Sequence, residues 1–265
     1  PKGTAKHFSE DHDYILVYGK RAEQWIPHKM PRTEKQNKAY KNPDNDPRGL
    51  WRPNNLAARN FYSKGTYSIT CPSGRVIKGP PAGSYWRVSE EKFWEMDRDR
   101  RIWWGKGGNN VPAPKIFLSE VADGVVPQTF WSYEEVGHTQ DAKKEIKTIF
   151  TGETPFDTPK PVRLIERILQ IASDPDSIIL DSFAGSGTTA HAVLNMNKAD
   201  GGNRKFILVE MMDYADSITA ERVKRVIDGY GEDKKAVEGT GGNFSYYELG
   251  PVLLLPDGNL NEEVG

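Results

Sequence analysis

The pattern of apolar positions in the second half of the chain predicts a strand, a helix and a second strand. Residues 178–180 form a branched apolar run with the length of a buried strand, and this run ends at Asp181. Residues 188–198 have a helical composition and open with threonines, so we expect a threonine to cap the first helical amides. Residues 206–209 form a second apolar strand, which ends at Glu210. This order predicts half of a βαβ unit with a carboxylate at the end of each strand.

A glycine-rich turn joins the first strand to the helix. Its sequence is Phe-Ala-Gly-Ser-Gly over residues 183–187, and glycines let a backbone approach a ligand closely. Glu210 is placed to accept hydrogen bonds from ribose hydroxyls, which predicts a site for an adenosine-containing cofactor. S-adenosylmethionine, a dinucleotide bound on Gly185-x-Gly187-x-x-Ala190, and a purely structural turn remain open. A phosphate-binding P-loop is excluded, because no Gly-Lys-Ser/Thr follows at the required spacing.

Other apolar patterns predict the surrounding elements. A proline-containing turn at residues 156–161 leads into an amphipathic helix, whose apolar positions follow the helical period through residue 172. Helices are also predicted at residues 140–149 and 216–229, and strands at residues 14–18 and 244–249.

The middle of the chain has shorter elements. Short strands are predicted within residues 66–71, 74–79, 85–89 and 101–105. A helix opens at Ser89 and runs to Arg98. Residues 21–50 contain few apolar positions and many Lys, Arg, Asn and Pro, which predicts an extended arm that faces DNA.

Charge is unevenly distributed, although the net charge of the chain is −1. Residues 20–118 carry 20 Lys and Arg against 9 Asp and Glu, whereas residues 119–265 carry 14 against 25. A basic block of this size is suited to neutralising DNA phosphates. The aromatic residues within the block have two open interpretations: contacts to nucleic acid, or the core of a small β-rich domain.

Several longer phrases resemble a known family. They are GLWRPNNLAARNFYS, GPPAGSYWRVSEEKFW, RIWWGKGGNNVPAPKIFLSEV and TFWSYEEVGHTQDAKKEIK. With Asp181-x-Phe183-x-Gly185-x-Gly187 and the Lys-Pro turn, they resemble the modification (Mod) subunits of type III restriction–modification systems. They are also similar to other site-specific adenine-N6 DNA methyltransferases of the permuted β class. The resemblance covers nearly the whole chain.

The resemblance implies an α/β, Rossmann-like S-adenosylmethionine-dependent methyltransferase fold, circularly permuted and with an incomplete sheet, plus a basic α+β target-recognition region. It implies methyl transfer from S-adenosylmethionine to N6 of a flipped adenine in duplex DNA. The cofactor-binding residues expected from the motifs are Phe156, Thr158, Lys160, Pro161, Asp181, Phe183, Ala184, Gly185, Ser186, Gly187, Thr188, Thr189 and Glu210. The implied partners are double-stranded DNA, a restriction subunit and a second copy of the chain.

The basic block supplies the expected DNA contacts. The selected residues are Lys35, Lys38, Lys41, Arg48, Arg52, Arg59, Lys64 and Arg87. With the cofactor motifs, they predict four segments: the end of the catalytic half at residues 1–20, the target-recognition region at 21–118, a linker with a helix at 119–150, and the cofactor-binding half at 151–265.

One family motif does not occur in the sequence. Amino-methylating enzymes hold the target amine with an Asp/Asn/Ser-Pro-Pro-aromatic tetrapeptide. Pro80 and Pro81 lack both the acceptor before them and the ring after them. We therefore expect no catalytic residue in this chain and interpret it as a fragment that is inactive alone. Two alternatives remain, a non-catalytic DNA-specificity module and an NAD-dependent oxidoreductase.

Composition excludes other classes of protein. No run of eighteen apolar residues predicts a membrane span. Cys71 is the sole cysteine, which rules out a disulfide framework within the chain and favours a cytoplasmic location. The five histidines lack ligand-like spacing, so no metal site is predicted.

Overall fold

Short strands and longer helices occupy different parts of the chain in the computed structural model, which describes residues 7–8, 11–253, 256 and 259–261. Contacts between residues divide the chain into two compact units. The basic unit is Lys29–Val125, which carries 18 Lys and Arg against 10 Asp and Glu. The helical unit is Pro1–His28 with Val126–Gly265. The architecture is mixed α/β.

The basic unit consists of short elements joined by Pro- and Gly-rich turns. These are α1 (Glu34–Asn37), β1 (Trp51–Pro53), β2 (Ala57–Ala58), β3 (Ile69–Thr70), β4 (Val76–Ile77), β5 (Tyr85–Trp86), α2 (Glu90–Arg98), β6 (Ile102–Trp103) and β7 (Ala113–Phe117). Strand β7 lies between β1 and β6 in an antiparallel sheet. The pairs β2–β5 and β3–β4 are also antiparallel.

Aromatic side chains form the core of the basic unit. Trp86, Phe93 and Trp104 are buried together with smaller apolar residues. The Trp86 indole N–H donates to the Tyr67 carbonyl at 2.9 Å, and the Trp104 indole N–H donates to Asp97 at 2.7 Å. Because these polar atoms are satisfied, the rings lie in the interior without an unpaired donor. For these tryptophans the core interpretation is confirmed.

A charged network holds β7 to the segment before β1. Lys115 is 5 % exposed and donates to Asp46 at 2.9 Å and to the Asp44 carboxylate. Arg48 donates to Asp46 at 2.9 Å and to Asp99 at 3.2 Å. Hydrogen bonds from Arg48, and then from Lys115, hold the pKa of the Asp46 carboxyl well below its usual range. Each buried charge therefore has an opposite charge beside it.

The predicted elements of the basic unit are largely confirmed, with one correction. The four short strands and α2 lie where they were expected, and the Ser89 hydroxyl accepts from the Lys92 amide at the start of α2. The extended arm predicted for residues 21–50 is wrong in its middle. Helix α1 forms there, with a capping box at Thr33, and the side chains of Met30 and Tyr40 are buried.

The helical unit contains most of the helix and the only parallel pair of strands among the described residues. Its elements are α3 (Tyr133–Val136), α4 (Thr139–Ile149), α5 (Val162–Ala172), β8 (Ile178–Asp181), α6 (Thr188–Asp200), β9 (Lys205–Leu208), α7 (Glu221–Asp228), β10 (Gly229–Tyr230) and β11 (Val237–Glu238). A π-helix, Ala215–Ala220, leads directly into α7. Strands β8 and β9 are parallel, and β10 and β11 are antiparallel.

Helices α5, α6 and α7 cover one face of the β8–β9 pair. Ile179 and Phe206 pack against the buried residues of α5 and α6. On the opposite face, Ile178, Leu180 and Ile207 are exposed. The strand prediction for residues 178–180 is confirmed in position, but the expectation of a fully buried strand is wrong, because alternate side chains point to opposite faces and only one face is covered.

Helix α6 begins without the threonine cap expected from the sequence. Its N-cap residue is Gly187, in the left-handed region at φ +75°, and no side chain caps the helix. The Thr188 hydroxyl donates to the Lys160 carbonyl and the Thr189 hydroxyl donates to Asp181, so both hydroxyls are committed elsewhere.

Two further strand predictions in the helical unit are wrong. Residues 14–18 are exposed and pair with no strand of the described chain, and residues 244–249 likewise form no strand there. The helices predicted at residues 140–149 and 216–229 are confirmed, although the second starts as a π-helix. None of the helices in the described ranges is both long and apolar enough to cross a membrane.

Candidate functional site

The carboxyl ends of β8 and β9 bring the two predicted carboxylates to one edge of the parallel pair. Asp181 is the last residue of β8 and lies opposite Leu208 in the register. The pairing continues past the strands, since the Val209 amide donates to the Asp181 carbonyl at 2.9 Å. Glu210 therefore follows β9 on the same edge as Asp181. The carboxyl edge of a parallel sheet is where α/β folds bind their ligands.

The glycine turn between β8 and α6 requires glycine at two positions. Gly185 has φ +53° and Gly187 has φ +75°, a region that side chains other than glycine adopt rarely. A Cβ atom on Gly185 would lie 3.2 Å from the Phe156 ring. A Cβ atom on Gly187 would lie 3.0 Å from the Thr219 carbonyl oxygen. The turn is thus closely packed on both sides.

Both carboxylates accept hydrogen bonds from the turn and its neighbours. Asp181 accepts from the Phe183 amide at 3.1 Å and from the Thr189 hydroxyl at 2.5 Å. Glu210 accepts from the Gly185 amide at 2.8 Å and from the Met211 amide at 3.0 Å. Glu210 also accepts from the Met212 amide at 3.1 Å. Since a carboxylate has about four acceptor positions, Asp181 keeps about two for a ligand and Glu210 about one. These bonds fix the direction in which the carboxylates point.

The proline turn upstream of α5 lies against the glycine turn. The Phe156 ring covers Gly185 and meets the Tyr214 ring edge-on at 5.5 Å. The Lys160 carbonyl accepts from the Thr188 hydroxyl at 3.3 Å, and Pro161 is the N-cap residue of α5. The structure therefore brings the two predicted cofactor-binding segments together.

The predicted cofactor residues differ in their exposure. Phe183 is 87 % exposed, and the side chains of Thr158 and Lys160 are also exposed. Lys160 forms an ion pair with Asp13 at 3.3 Å. The remaining polar side chains of the turn are buried, namely Ser186, Thr188 and Thr189. Those three side chains support the turn from inside.

Sequence reasoning missed the residues that lie behind the turn. Thr219 and Arg222 hydrogen-bond to it, and the charge of Glu210 contributes, after desolvation, to raising the pKa of Tyr214. One signal was present in the sequence: Arg222 falls on the apolar stripe of α7 with Val223 and Val226, where a charged residue is unusual.

The predicted DNA-contacting residues of the basic unit fall into two groups. Six have exposed side chains, namely Lys35, Lys38, Lys41, Arg59, Lys64 and Arg87. Arg52 is half-buried and donates to the Tyr40 hydroxyl at 3.2 Å. Arg48 donates to the carboxylates of Asp46 and Asp99 and to the Asp99 carbonyl, so it has a structural role, and its DNA contact stays a prediction.

An exposed aromatic side chain lies beside the β2–β5 pair, in a region rich in exposed basic residues. Phe61 is 76 % exposed and meets Tyr85 edge-on at 5.2 Å. Arg59 follows β2 and Arg87 follows β5, so in this antiparallel pair they lie at opposite ends. Lys64 lies in the loop between β2 and β3, next to Gly65, whose carbonyl accepts from the Trp86 amide at 2.7 Å. Exposed rings next to cations are typical of surfaces that contact nucleic acid.

Two other features of the described chain do not coincide with the predicted site. A concavity of about 420 Å³ in the basic unit is lined by Trp103, Lys106 and Asp97, and by none of the predicted site residues. No group of three His, Cys, Asp or Glu residues in the described ranges is placed to hold a metal ion.

Comparison with known proteins decides the family. Residues 1–221 match the profile of the N6/N4 methyltransferase family described as DNA methylase. The chain belongs to this DNA methylase family. The match includes β8, the glycine turn, α6, β9 and both strand-end carboxylates, as well as the whole basic unit.

Individual relatives of the chain are named as modification subunits and methyltransferases. The Mod subunit of the type III restriction–modification enzyme StyLTI from Salmonella typhimurium is 34 % identical over 231 residues, which cover 81 % of this chain and 34 % of that protein. The type II methyltransferase M.KpnI from Klebsiella pneumoniae is 30 % identical over 79 % of this chain and 52 % of its own length. The EcoPI Mod subunit from Escherichia phage P1 is 29 % identical over 77 % and 35 %.

These matches confirm the resemblance to Mod subunits and adenine methyltransferases that the sequence motifs indicated. The chain spans between a third and about half of the length of the three relatives. The activity, substrates and partners of a whole enzyme are therefore matters for proposal.

Proposed function

We propose that this DNA methylase chain forms the cofactor-binding and DNA-contacting part of an adenine-N6 DNA methyltransferase of a restriction–modification system. The observation that carries the proposal is the carboxyl edge of β8 and β9, where Asp181, the glycine turn and Glu210 meet. Family membership supports methyl transfer to DNA as the reaction class. The fold proposed around this edge is a Rossmann-like sheet in permuted order.

S-adenosylmethionine is the proposed cofactor. When bound, it supplies a sulfonium methyl group for transfer to an amine. The edge fits this ligand because it presents two carboxylates, which accept from hydroxyl and ammonium groups, beside a turn with no Cβ atoms at Gly185 and Gly187. A pyrophosphate group prefers amides and cations, so the carboxylate of Asp181 disfavours NAD.

Each residue at the edge has a proposed task. Glu210 accepts from the ribose hydroxyls, and Asp181 faces the ammonium end of the cofactor. Phe156 and Phe183 provide apolar contacts, and Lys160 and Pro161 shape the neighbouring turn. Thr158 and Ala184 line the site. The buried hydroxyls keep the turn in place without touching the cofactor directly; they belong to Ser186, Thr188 and Thr189.

The DNA substrate is proposed from the family and from the charge of the basic unit. The exposed Lys and Arg side chains contact phosphates, and Phe61 lies where a ring could reach nucleic acid. The sequence contains no Asp/Asn/Ser-Pro-Pro-aromatic tetrapeptide. We therefore propose cofactor binding and DNA contact for these residues, and we assign polarisation of the adenine amine to none of them.

A restriction subunit is the proposed protein partner. The proposal rests on the relatives named as Mod subunits of type III restriction–modification enzymes. Association with a second copy of the chain stays a prediction from the sequence motifs.

Isothermal calorimetry with S-adenosylhomocysteine tests the proposal directly. The purified chain should bind this ligand and not NADH, and Glu210→Ala should weaken binding by about 1–3 kcal/mol, since it removes a charged hydrogen-bond acceptor. Glu210→Gln removes the negative charge but keeps one acceptor oxygen, so it should weaken binding less than Glu210→Ala does.

Glu232→Ala is the matched control, because Glu232 is an exposed acid of the same unit away from the edge. Its affinity should equal that of the unmodified chain. Binding of NADH in place of S-adenosylhomocysteine would favour the oxidoreductase alternative. Equal affinity in Glu210→Ala and Glu232→Ala would remove Glu210 from the site.

A further inference from the structure

The glycine turn is held from behind by two side chains that come much later in the chain. The Thr219 hydroxyl donates to the Gly185 carbonyl at 2.5 Å, and Arg222 Nη1 donates to the Ser186 carbonyl at 3.2 Å. On the other side of the turn, the Gly185 amide donates to Glu210. The peptide groups of the turn are therefore fixed through both their carbonyl and their amide ends.

Arg222 is a fully buried charged side chain on the apolar face of α7. It is 0 % exposed, and its Nη1 also donates to the Ser186 hydroxyl at 2.9 Å and the Thr188 hydroxyl at 2.8 Å. Its Nη2 lies 3.2 Å from His191 Nδ1, and its Nε has no hydrogen-bond partner in the described structure. No carboxylate of the described chain lies within ion-pair distance of it. Burial lowers the pKa of this guanidinium to about 10.

A buried cation without a paired carboxylate is costly, because desolvation is not offset by an opposite charge at contact distance. An apolar side chain would pack on this stripe of α7 with Val223 and Val226 at less cost. What Arg222 provides instead is several hydrogen bonds to residues 186, 188 and 191, all in the turn or the first turn of α6.

The same network reaches the second cofactor-binding segment. Thr188 accepts from Arg222 and donates to the Lys160 carbonyl at 3.3 Å. The chain of bonds therefore runs from α7 through the start of α6 to the turn that precedes α5. A single buried side chain ties together the two segments that should contact the cofactor.

We propose that Thr219 and Arg222 are positioning residues that hold the glycine turn in its ligand-binding shape before S-adenosylmethionine arrives. The inference rests on the proposed function of that turn. Neither residue touches the cofactor. Each holds a carbonyl group of the turn in place, so the turn loses no further conformational entropy when the ligand binds.

Conservative variants test this role. Thr219→Val keeps the side-chain volume and removes the donor to Gly185, and we expect about a tenfold loss of S-adenosylhomocysteine affinity, the size of one well-placed hydrogen bond. Arg222→Lys keeps the charge but cannot serve four acceptors, and it should lose at least as much. Val226→Ala is the matched control, because it removes buried volume from the same helix without contacting the turn.

Hydrogen exchange of residues 183–188 without ligand gives a second readout. Thr219→Val and Arg222→Lys should speed exchange there, and Val226→Ala should not, at temperatures where all three are folded. Should Arg222→Lys fail to fold, Thr219→Val decides alone. If the unmodified chain binds no S-adenosylhomocysteine, the proposed function is wrong. The hydrogen-exchange comparison alone then tests whether Thr219 and Arg222 hold the turn. Equal losses in Thr219→Val and Val226→Ala, or unchanged exchange in Thr219→Val, would overturn the inference.

Discussion

Lys115 in the basic unit and Arg222 in the helical unit are both buried cations, and their partners differ; Arg204, also buried in the helical unit, pairs with Asp200. In the basic unit, Lys115 lies between the carboxylates of Asp44 and Asp46. In the helical unit, Arg222 lies among hydroxyls, a carbonyl group and His191. The first arrangement is a complete charge network that joins separate parts of one fold. In the second arrangement, the guanidinium donates its hydrogen bonds to the glycine turn and the start of α6, at the carboxyl edge of the parallel strands.

The difference separates stability from function. Removing one member of a buried ion pair is destabilising, because the opposite charge is then left uncompensated in the fold. A buried charge whose hydrogen bonds all go to neutral acceptors is costly even with a carboxylate acting at longer range, as Glu145 does on Arg222, and it is retained where its geometry is needed. We therefore expect Lys115 variants to affect unfolding above all, and Arg222 variants to affect ligand affinity beyond their effect on unfolding.

Removal of the Lys115 charge is the largest perturbation of this comparison. Lys115→Met leaves Asp44 without its cation, while Asp46 keeps Arg48, and the change should cost about 3 kcal/mol of unfolding free energy. Urea unfolding followed by tryptophan fluorescence measures it, since five of the seven tryptophans lie in the basic unit. Lys106→Met, at an exposed position of the same unit, should change little.

A second substitution sharpens the test. Adding Asp44→Asn to Lys115→Met should recover part of the loss, because it removes the carboxylate that has lost its cation. A loss in Lys115→Met no larger than in Lys106→Met would mean that the network is not what joins β7 to the segment before β1.

Acid should affect the two units at different pH. Burial, and then the charge of Arg222, lower the pKa of His191 to about 3. The unfolded chain takes up this proton near pH 6.5, so stability of the helical unit falls as pH drops from about 6.5 towards 3, by at most about 1.4 kcal/mol per pH unit. Asp46 also has a lowered pKa, but its unfolded value is near 4, so the basic unit loses this contribution only below about pH 4.

Urea midpoints at pH 7, 6 and 5 check the difference. Far-ultraviolet circular dichroism reports mainly the helical unit, and its urea midpoint should fall as the pH is lowered. The midpoint measured by tryptophan fluorescence should stay the same. His191→Asn keeps an acceptor for Arg222 and removes the titrating group, so its dichroism midpoint should no longer fall. An unchanged pH dependence in His191→Asn would exclude His191 as the cause.

The smallest expected effect concerns exposed charges. Replacing Lys35, Lys38 and Lys41 together by alanine should reduce the salt slope of DNA binding by up to about 2.7, since each phosphate that a lysine neutralises contributes about 0.9 to the slope. Fluorescence anisotropy of a labelled duplex at several salt concentrations measures this slope. The matched variant replaces Lys143, Lys144 and Lys147, three exposed lysines of α4.

If both triple variants lower the slope equally, the basic unit has no special part in binding DNA. If neither lowers it, the lysines around α1 are solvated surface only. Folding should be unaffected in either variant, because exposed charges contribute little to stability.

Local sequence pattern was sufficient to predict the edge of the candidate site. The apolar runs that end at Asp181 and Glu210, and the glycines between them, indicate a strand, a turn and a strand over a short stretch of chain, and the structure places them together. The family motifs then supplied the expected ligand. Such features are local, so periodicity and spacing are enough to find them.

Contacts between distant parts of the chain could not be predicted in the same way. Thr219 meets Gly185 only because a π-helix and α7 fold back over the turn, and nothing in the spacing indicates that return. The prediction of a threonine cap was wrong for the same reason, since the hydroxyls of Thr188 and Thr189 donate to residues outside the first turn of their own helix. Burial of Met30 within a polar segment depended likewise on tertiary packing.

The position of Thr219, 34 residues after Gly185, also fixes the order in which the site can mature during synthesis. When β8, α6 and β9 have left the ribosome, the parallel pair can already form, because α6 provides the return path between its strands. The turn between β8 and α6 at that moment still lacks the hydroxyl and the guanidinium that hold its carbonyl groups. The binding turn of a nascent chain therefore cannot reach its final shape until the π-helix and α7 have been synthesised and pack behind it.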